Sequence, residues 1–143
     1  MKRDKFDAVV SDIVRNRADW TCECCGIVSE DGRAKKKDRA VHGSHFTSRG
    51  AGNIARYDTD AIACHCGKCH AYLGERPYEH SAWFVKTYGE GLLEIIKEKH
   101  SRTHKMTKGD KADMYSHYKS ELARVLKLRK EGVTGYIETV SWF

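Results

Sequence analysis

The sequence predicts an α+β fold in which a small zinc-stapled core, one held together by a single zinc ion, is flanked by α-helices. Two Cys-x-x-Cys pairs about forty residues apart, with short β-prone segments between them, predict the core. Apolar residues at helical spacing on either side predict the helices. We expect a single domain made of an N-terminal helix, the core, a helical region and a β-prone tail: residues 1–19, 20–75, 76–131 and 132–143.

The composition favours a globular protein that binds nucleic acid. The 143 residues carry a net charge of +6, with 40% hydrophobic residues and one proline. No run of eighteen apolar residues is present, which argues against a membrane span. No apolar segment follows the basic start M-K-R-D-K-F-D, so we see no secretory signal and expect a cytoplasmic protein.

All six cysteines lie in two short clusters, which favours metal binding over disulfide bonds in a chain without an export signal. We assign one tetrahedral structural zinc to four of them, two from each cluster: Cys22, Cys25, Cys66 and Cys69. The rival ligand sets include Cys24 or Cys64, or use His65 or His70. A closed four-thiolate site has no open position, so this ion would hold the fold and take no part in catalysis.

The local patterns predict the following elements. Helices are expected over residues 5–16, 79–88, 92–100 and 108–130, the last with a start signal at Thr107 and Asp110. Strands are expected within residues 40–48 and 57–63, and residues 66–70 open a helix. On a regular strand His42 and His45 point to opposite faces, so only one faces an active site unless Gly43 and Ser44 bend the chain.

A basic run precedes the first strand. A solvated loop is the commoner explanation of such a run, whereas its position beside the core favours contacts with phosphates. We count four of its residues as candidate DNA-binding residues: Arg33, Lys35, Lys36 and Lys37.

Taken in order, the motifs C-x-x-C-G, G-S-H-F-T-S-R, R-Y-D and C-G-K-C-H resemble those of the phage NinG/Rap recombination endonucleases. That family belongs to the HNH class of ββα-metal nucleases, and the resemblance covers roughly residues 20–131. It implies a β-hairpin and a helix around one catalytic cation, Mg²⁺ or Mn²⁺, beside the structural zinc. It also implies cleavage of phosphodiester bonds in branched DNA, such as Holliday junctions or D-loops, by a phage protein in the bacterial host cell.

The resemblance assigns roles to individual residues. His45 matches the general base, His70 the last metal ligand, and Asp58 of R-Y-D is an oxygen ligand suited to Mg²⁺. His42 is a further candidate ligand. The candidate phosphate contacts in this region are basic: Arg49, Arg56 and Lys68.

Two positions depart from the HNH pattern. Ser44 stands where many of these sites carry an acidic residue or histidine, and Ala61 stands where an asparagine is usual. His42 or Asp58 could compensate for the first, and Asp60 or Asn53 for the second. A non-catalytic, zinc-containing DNA-binding module with a degenerate HNH fold is therefore the alternative function, and RNA remains a possible substrate. The apolar tail and last helix are candidates for a homodimer interface.

Overall fold

The computed structural model describes residues 1–29 and 39–143, and it has the expected mixture of helices and a small sheet. Its elements in chain order are α1 (Lys5–Arg17), β1 (Val41–His45), α2 (Asn53–Tyr57), β2 (Ile62–Cys66), α3 (Gly67–Gly74), α4 (Pro77–Tyr88), α5 (Glu90–His100) and α6 (Lys108–Lys130). The α+β prediction is confirmed at this level. No helix in the described part of the chain is long and apolar enough to cross a lipid bilayer.

Helix α1 starts at a capping box. Asp4 and Asp7 each accept a hydrogen bond from the other's backbone N–H, both at 2.9 Å, which satisfies donors that the first turn leaves free. One apolar face of α1 packs into the larger core with Met114 and Tyr118 of α6. The predicted first helix is confirmed.

Strands β1 and β2 form an antiparallel two-stranded sheet, in which Val41 pairs with Cys66 and His45 with Ile62. Between them lie two 3₁₀ turns and α2, and α3 follows β2 directly. The central region therefore has the order strand, strand, helix. Helix α1 packs against β1, where Ser11 lies beside Gly43.

The second strand begins at Ile62, so the predicted strand over residues 57–63 is wrong over most of its length. Tyr57 instead ends α2, and Asp58 caps the following 3₁₀ turn. The Asp58 carboxylate accepts a hydrogen bond from the backbone N–H of Asp60 at 3.2 Å. Such a local side-chain bond competes with extended structure, which explains why the strand starts later.

Helices α4 and α5 enclose a smaller core under the connection between the strands. Phe84, Leu93 and Ile96 pack there with Ala61, the residue before β2. Gly89 separates the two helices with a φ of +93°, a conformation that glycine adopts without strain. The predicted interruption of the helical pattern is confirmed.

Helix α6 begins at the predicted position, where Thr107 and Asp110 form a second capping box. The tail after α6 forms no strand, contrary to its β-prone sequence. Its backbone bonds to helices instead: the N–H of Ile137 donates to the carbonyl of Arg17, and that of Val140 to the carboxylate of Glu121, both at 2.9 Å. The end of the tail packs against the larger core through Trp142 and Phe143.

Candidate functional site

The first cysteine pair lies on a tight turn after α1. The backbone N–H of Gly26 donates to the carbonyl of Cys22 at 2.9 Å, and Gly26 has a φ of +79°. The second pair lies where β2 passes into α3: Cys66 is the N-cap, and its sulfur accepts from the backbone N–H of Cys69 at 3.5 Å. Both turns therefore present two sulfurs on one side.

The four cysteines assigned from the sequence lie together. The sulfurs of Cys22, Cys25, Cys66 and Cys69 are all within 4.8 Å of one another, and those of Cys25 and Cys66 are 3.8 Å apart. A tetrahedral zinc with Zn–S bonds of about 2.3 Å separates its sulfurs by about 3.8 Å. The cluster could therefore hold a metal such as zinc.

The rival cysteines lie outside this cluster. Cys24 is exposed, whereas Cys64 is fully buried in the larger core and burial raises its pKa to about 12. His65 is fully buried against Trp83, and neither of its ring nitrogens has a hydrogen-bond partner among the described residues. Burial lowers the His65 pKa to about 3, so the ring is neutral.

A groove of about 550 Å³ runs between α1 and the sheet. Its lining comes from several parts of the chain: Arg3, Asp7, Val10, Ser11, His42, Gly43, His45, Ser48, Arg49, Arg56, Ile62 and His70. A Cβ on Gly43 would lie 3.3 Å from Cγ2 of Ile62 and 3.6 Å from Oγ of Ser11. The missing side chain at Gly43 thus lets α1 pack close beside the histidines.

His45, at the end of β1, is held by one backbone contact. Its Nε2 lies 2.9 Å from the carbonyl oxygen of Arg56. Because a carbonyl can only accept, Nε2 carries the proton and Nδ1 is the basic nitrogen. Burial lowers the pKa of His45, although the bond to Arg56 acts against this shift. The ring is therefore neutral at pH 7, and Nδ1 is the nitrogen that can accept a proton.

His42 of β1 and His70 of α3 meet beside His45. Their Nδ1 atoms are 3.1 Å apart, and burial lowers the pKa of both rings, which favours the neutral form that binds metals. Two imidazoles on one ion, each about 2.1 Å from it, place their nitrogens about 3.0 to 3.4 Å apart. This pair could bind a cation. Both His42 and His45 line one groove, since it reaches side chains from both faces of the narrow sheet.

The groove is rich in arginine. Arg49 donates to the backbone carbonyl of Met1 at 2.9 Å, and Arg3 is exposed. Arg56 binds the carboxylate of Asp7 through Nε at 2.9 Å and Nη2 at 2.5 Å. Asp7 is the only acidic side chain among the described groove residues, so the groove has a net positive charge.

Asp58 does not line the groove that contains His42, His45 and His70. Its side chain is fully buried elsewhere, and its oxygens accept hydrogen bonds from Lys99, His100 and Ser141. Burial raises the pKa of Asp58, but these bonds outweigh it and hold the pKa below its usual value. The aspartate of the motif R-Y-D is therefore buried in the protein interior.

The remaining candidate DNA-binding residues have separate positions. Lys68 is exposed on α3, whereas the basic run with Arg33, Lys35, Lys36 and Lys37 lies outside the described residues. Sequence reasoning missed Arg3 and Asp7, which reach the groove from α1 and the residues before it. The capping pattern of Asp4 and Asp7 marks the helix start, but no local signal shows which side chains α1 would turn towards β1.

Comparison with known proteins identifies a family. The family model described as Bacteriophage Lambda NinG protein matches residues 3–131. No curated protein and no solved structure matches the chain. The matched range contains the four cysteines, every described groove residue and α6.

Proposed function

Because the chain belongs to the NinG family, we propose that it is a metal-dependent DNA endonuclease that hydrolyses phosphodiester bonds. Branched recombination intermediates, such as Holliday junctions and D-loops, are the substrates that the family resemblance favours. One observation carries the proposal: His45, with its tautomer set by a backbone carbonyl, lies beside the His42–His70 pair in an arginine-lined groove. The strand–strand–helix order of this region also fits an HNH core.

We assign the general base to His45. A water molecule must lose a proton to attack phosphorus, and Nδ1 of a neutral imidazole can take that proton. The carbonyl of Arg56 orients the ring by accepting from Nε2, so the proton from water goes to Nδ1 and the ring becomes an imidazolium. General-base catalysis of this kind contributes about 10²- to 10⁴-fold.

His42 and His70 would hold the catalytic cation. When bound, a divalent cation stabilises the negative charge that develops on the phosphate and the leaving oxygen. Nitrogen donors favour transition-metal ions over Mg²⁺, which prefers oxygen ligands. Of the two ions that the resemblance implies, we therefore expect Mn²⁺ to support cleavage better than Mg²⁺.

Arg49 and Arg3 would bind the phosphates of the DNA backbone, with Lys68 as a further contact. Arg49 has one backbone acceptor, and both arginines line the groove that carries His45. Arginine binds phosphate with two parallel hydrogen bonds, which fixes the backbone against the base. Arg56 is less available for this role than its sequence position indicates, because Asp7 binds its guanidinium.

A cleavage panel tests the proposal. Purified protein is incubated with linear, flap and four-way DNA, and with matched RNA, in Mg²⁺ or Mn²⁺. We expect cleavage of branched DNA and a loss of about 10²- to 10⁴-fold in His45→Ala. The matched control is His117→Ala on α6, a histidine outside the groove that bonds to the carbonyl of Val140. Tight binding without cleavage in either metal, together with no effect of His45→Ala, would refute the assignment.

The alternative is a zinc-containing DNA-binding module with a degenerate HNH fold. Two observations favour it. Ser44, a buried residue, stands before the proposed base where many HNH sites have an acidic residue or histidine, and Asp58 does not line the groove. Such a module would bind DNA with a steep salt dependence and cut none. The same panel, read for binding as well as cleavage, separates the two functions.

A further inference from the structure

Arg56 connects the proposed base to helix α1. Its backbone carbonyl accepts the hydrogen bond from Nε2 of His45 at 2.9 Å. Its side chain binds both carboxylate oxygens of Asp7, with Nε to one oxygen at 2.9 Å and Nη2 to the other at 2.5 Å. One residue therefore joins a carboxylate of the first helix to the ring that would accept the proton.

Asp7 is itself held in place from the other side. Its Oδ2 accepts from the backbone N–H of Asp4, as part of the capping box that starts α1. The neighbour of Arg56, Tyr57, donates to the Asp4 carboxylate at 2.8 Å. The end of α2 is thus fixed to the start of α1 by two consecutive residues.

Asp7 and Arg56 form an ion pair that does not depend on pH near neutrality. Burial raises the pKa of Asp7, but hydrogen bonds from Arg56 and from the backbone of Asp4 outweigh it and lower the pKa below its usual value. The Asp7 bond raises the already high pKa of Arg56 further. Both groups are charged at every pH at which a nuclease would work. Planar bidentate pairing of this type restricts the orientation of the arginine.

We propose that Asp7 is a positioning residue for the base: by holding Arg56, it fixes the carbonyl that selects the Nε2–H tautomer of His45. The inference rests on the proposed nuclease function, because it assigns Asp7 to the same reaction. It does not require Asp7 to touch the substrate. The competing role is a structural ion pair that joins α1 to α2 without any effect on the base.

The experiment compares Asp7→Asn with Asp12→Asn in the full-length protein. Asp12 is the matched control, since it lies on the same helix and pairs with Arg15 at 2.6 Å but does not line the groove. We expect Asp7→Asn to lower kcat about 10- to 100-fold, the range typical of residues that orient a catalytic ligand. KM for branched DNA should stay within about threefold, and Asp12→Asn should behave as wild type.

A second readout does not depend on cleavage. The sample is protein with zinc bound to the cysteine cluster and no divalent cation added to the groove. Nitrogen-15 NMR of the His45 ring should then show the Nε2–H tautomer alone in wild type and in Asp12→Asn. In Asp7→Asn we expect a mixture of tautomers. A purely structural ion pair would leave the tautomer unchanged at temperatures where both variants are folded.

Two further variants test the positioning role if Asp7→Asn folds poorly. Asp7→Glu keeps a carboxylate and the capping position and should recover activity in part. Arg56→Lys breaks the bidentate pair from the other side and should reproduce the loss. Arg56 also contacts the Asp4 carboxylate at 3.4 Å and the Lys2 carbonyl at 2.9 Å, so Arg56→Lys can lose more than Asp7→Asn. Because both variants break the Asp7–Arg56 pair, the double variant should lose no more than Arg56→Lys alone.

The outcomes separate the two claims. An unchanged kcat and an unchanged His45 tautomer in Asp7→Asn would overturn the positioning role while leaving the nuclease assignment intact. A change in KM with constant kcat would overturn it too, because Asp7 would then control DNA binding through Arg56. If wild type cuts no DNA, the nuclease assignment fails, and the tautomer comparison still decides whether Asp7 positions His45.

Discussion

Asp7 and Asp58 are both buried carboxylates that bind cationic side chains, yet they lie in different regions and have different consequences. Asp7 borders the groove and gives both oxygens to Arg56. Asp58 is buried away from the groove. Its oxygens accept hydrogen bonds from side chains of α5 and the tail: Lys99, His100 and Ser141. The first carboxylate orients a residue of the candidate site, and the second ties three distant segments of the chain together.

The comparison shows that the surroundings of a carboxylate, more than its place in a motif, decide its role. Asp58 stands in R-Y-D, two residues after Arg56, but it follows the end of α2 and its side chain is buried. A carboxylate whose acceptor positions are filled by buried donors has none left for a cation. Asp7 has no motif around it and reaches the site because α1 packs against β1 at Gly43.

The largest effect should follow loss of the cysteine cluster, on which both regions depend. Cys25→Ser, or removal of metal with a chelator, should unfold the sheet and α3, because zinc binding in small sites of this kind is worth about 10–16 kcal/mol. Circular dichroism and metal content measure the effect. Cys24→Ser is the matched control, since that cysteine is exposed and outside the cluster. Equal metal content and melting in both variants would show that the cluster is not the metal site.

Asp58→Asn should lower stability by about 3–5 kcal/mol, because it leaves buried cationic partners without their carboxylate. Asp60→Asn is the control: Asp60 binds the same Lys99 at 3.2 Å but is 31% exposed, so its loss should cost less than about 1 kcal/mol. Urea unfolding at pH 7 measures both. Equal losses in the two variants would contradict the distinction between a buried carboxylate and a partly exposed one.

The ionised carboxylate of Asp58 should also make the folded protein less stable at low pH. The folded-state pKa of Asp58 is lower than that of the unfolded chain, so its stabilising contribution is present above the unfolded value of about 4 and is lost as the pH falls through the folded value. Unfolding free energies measured from pH 6 down to about pH 2.5 should fall less steeply in Asp58→Asn than in wild type. Parallel curves would mean that the contacts of Asp58 contribute nothing to acid unfolding.

The sequence predicted the parts of the site that depend on local spacing. Cys-x-x-Cys pairs carry their geometry within one turn, so the cluster of four sulfurs could be assigned without the fold. The roles of His45 and His70 came from the resemblance to the NinG/Rap family and stay predictions, and the structure places both side chains in the groove. The capping box at Thr107 likewise marked the start of α6.

The other parts depend on tertiary packing. Periodicity showed that α1 has a buried face, but Asp7 and Arg3 reach the groove only because the helix crosses the sheet at Gly43. The inward turn of Asp58 depends on α5 and the tail, more than forty residues away in the chain. The tail is β-prone, but it pairs with neither strand of the described sheet, and Trp142 and Phe143 instead pack against a core that α1, α6 and the sheet share.

The smallest effect distinguishes the two groove arginines. Arg49→Gln should reduce the slope of log affinity against log salt by about 1, as expected for one lost phosphate contact. Arg56→Gln should leave the slope nearly unchanged, because Asp7 already neutralises that guanidinium. Binding to four-way DNA without divalent cations measures both, with Lys97→Gln on α5 as an exposed control. If Arg56→Gln lowers the slope as much as Arg49→Gln, Asp7 releases Arg56 to the DNA, and the groove carboxylate then acts as a gate on binding instead of an anchor for the base.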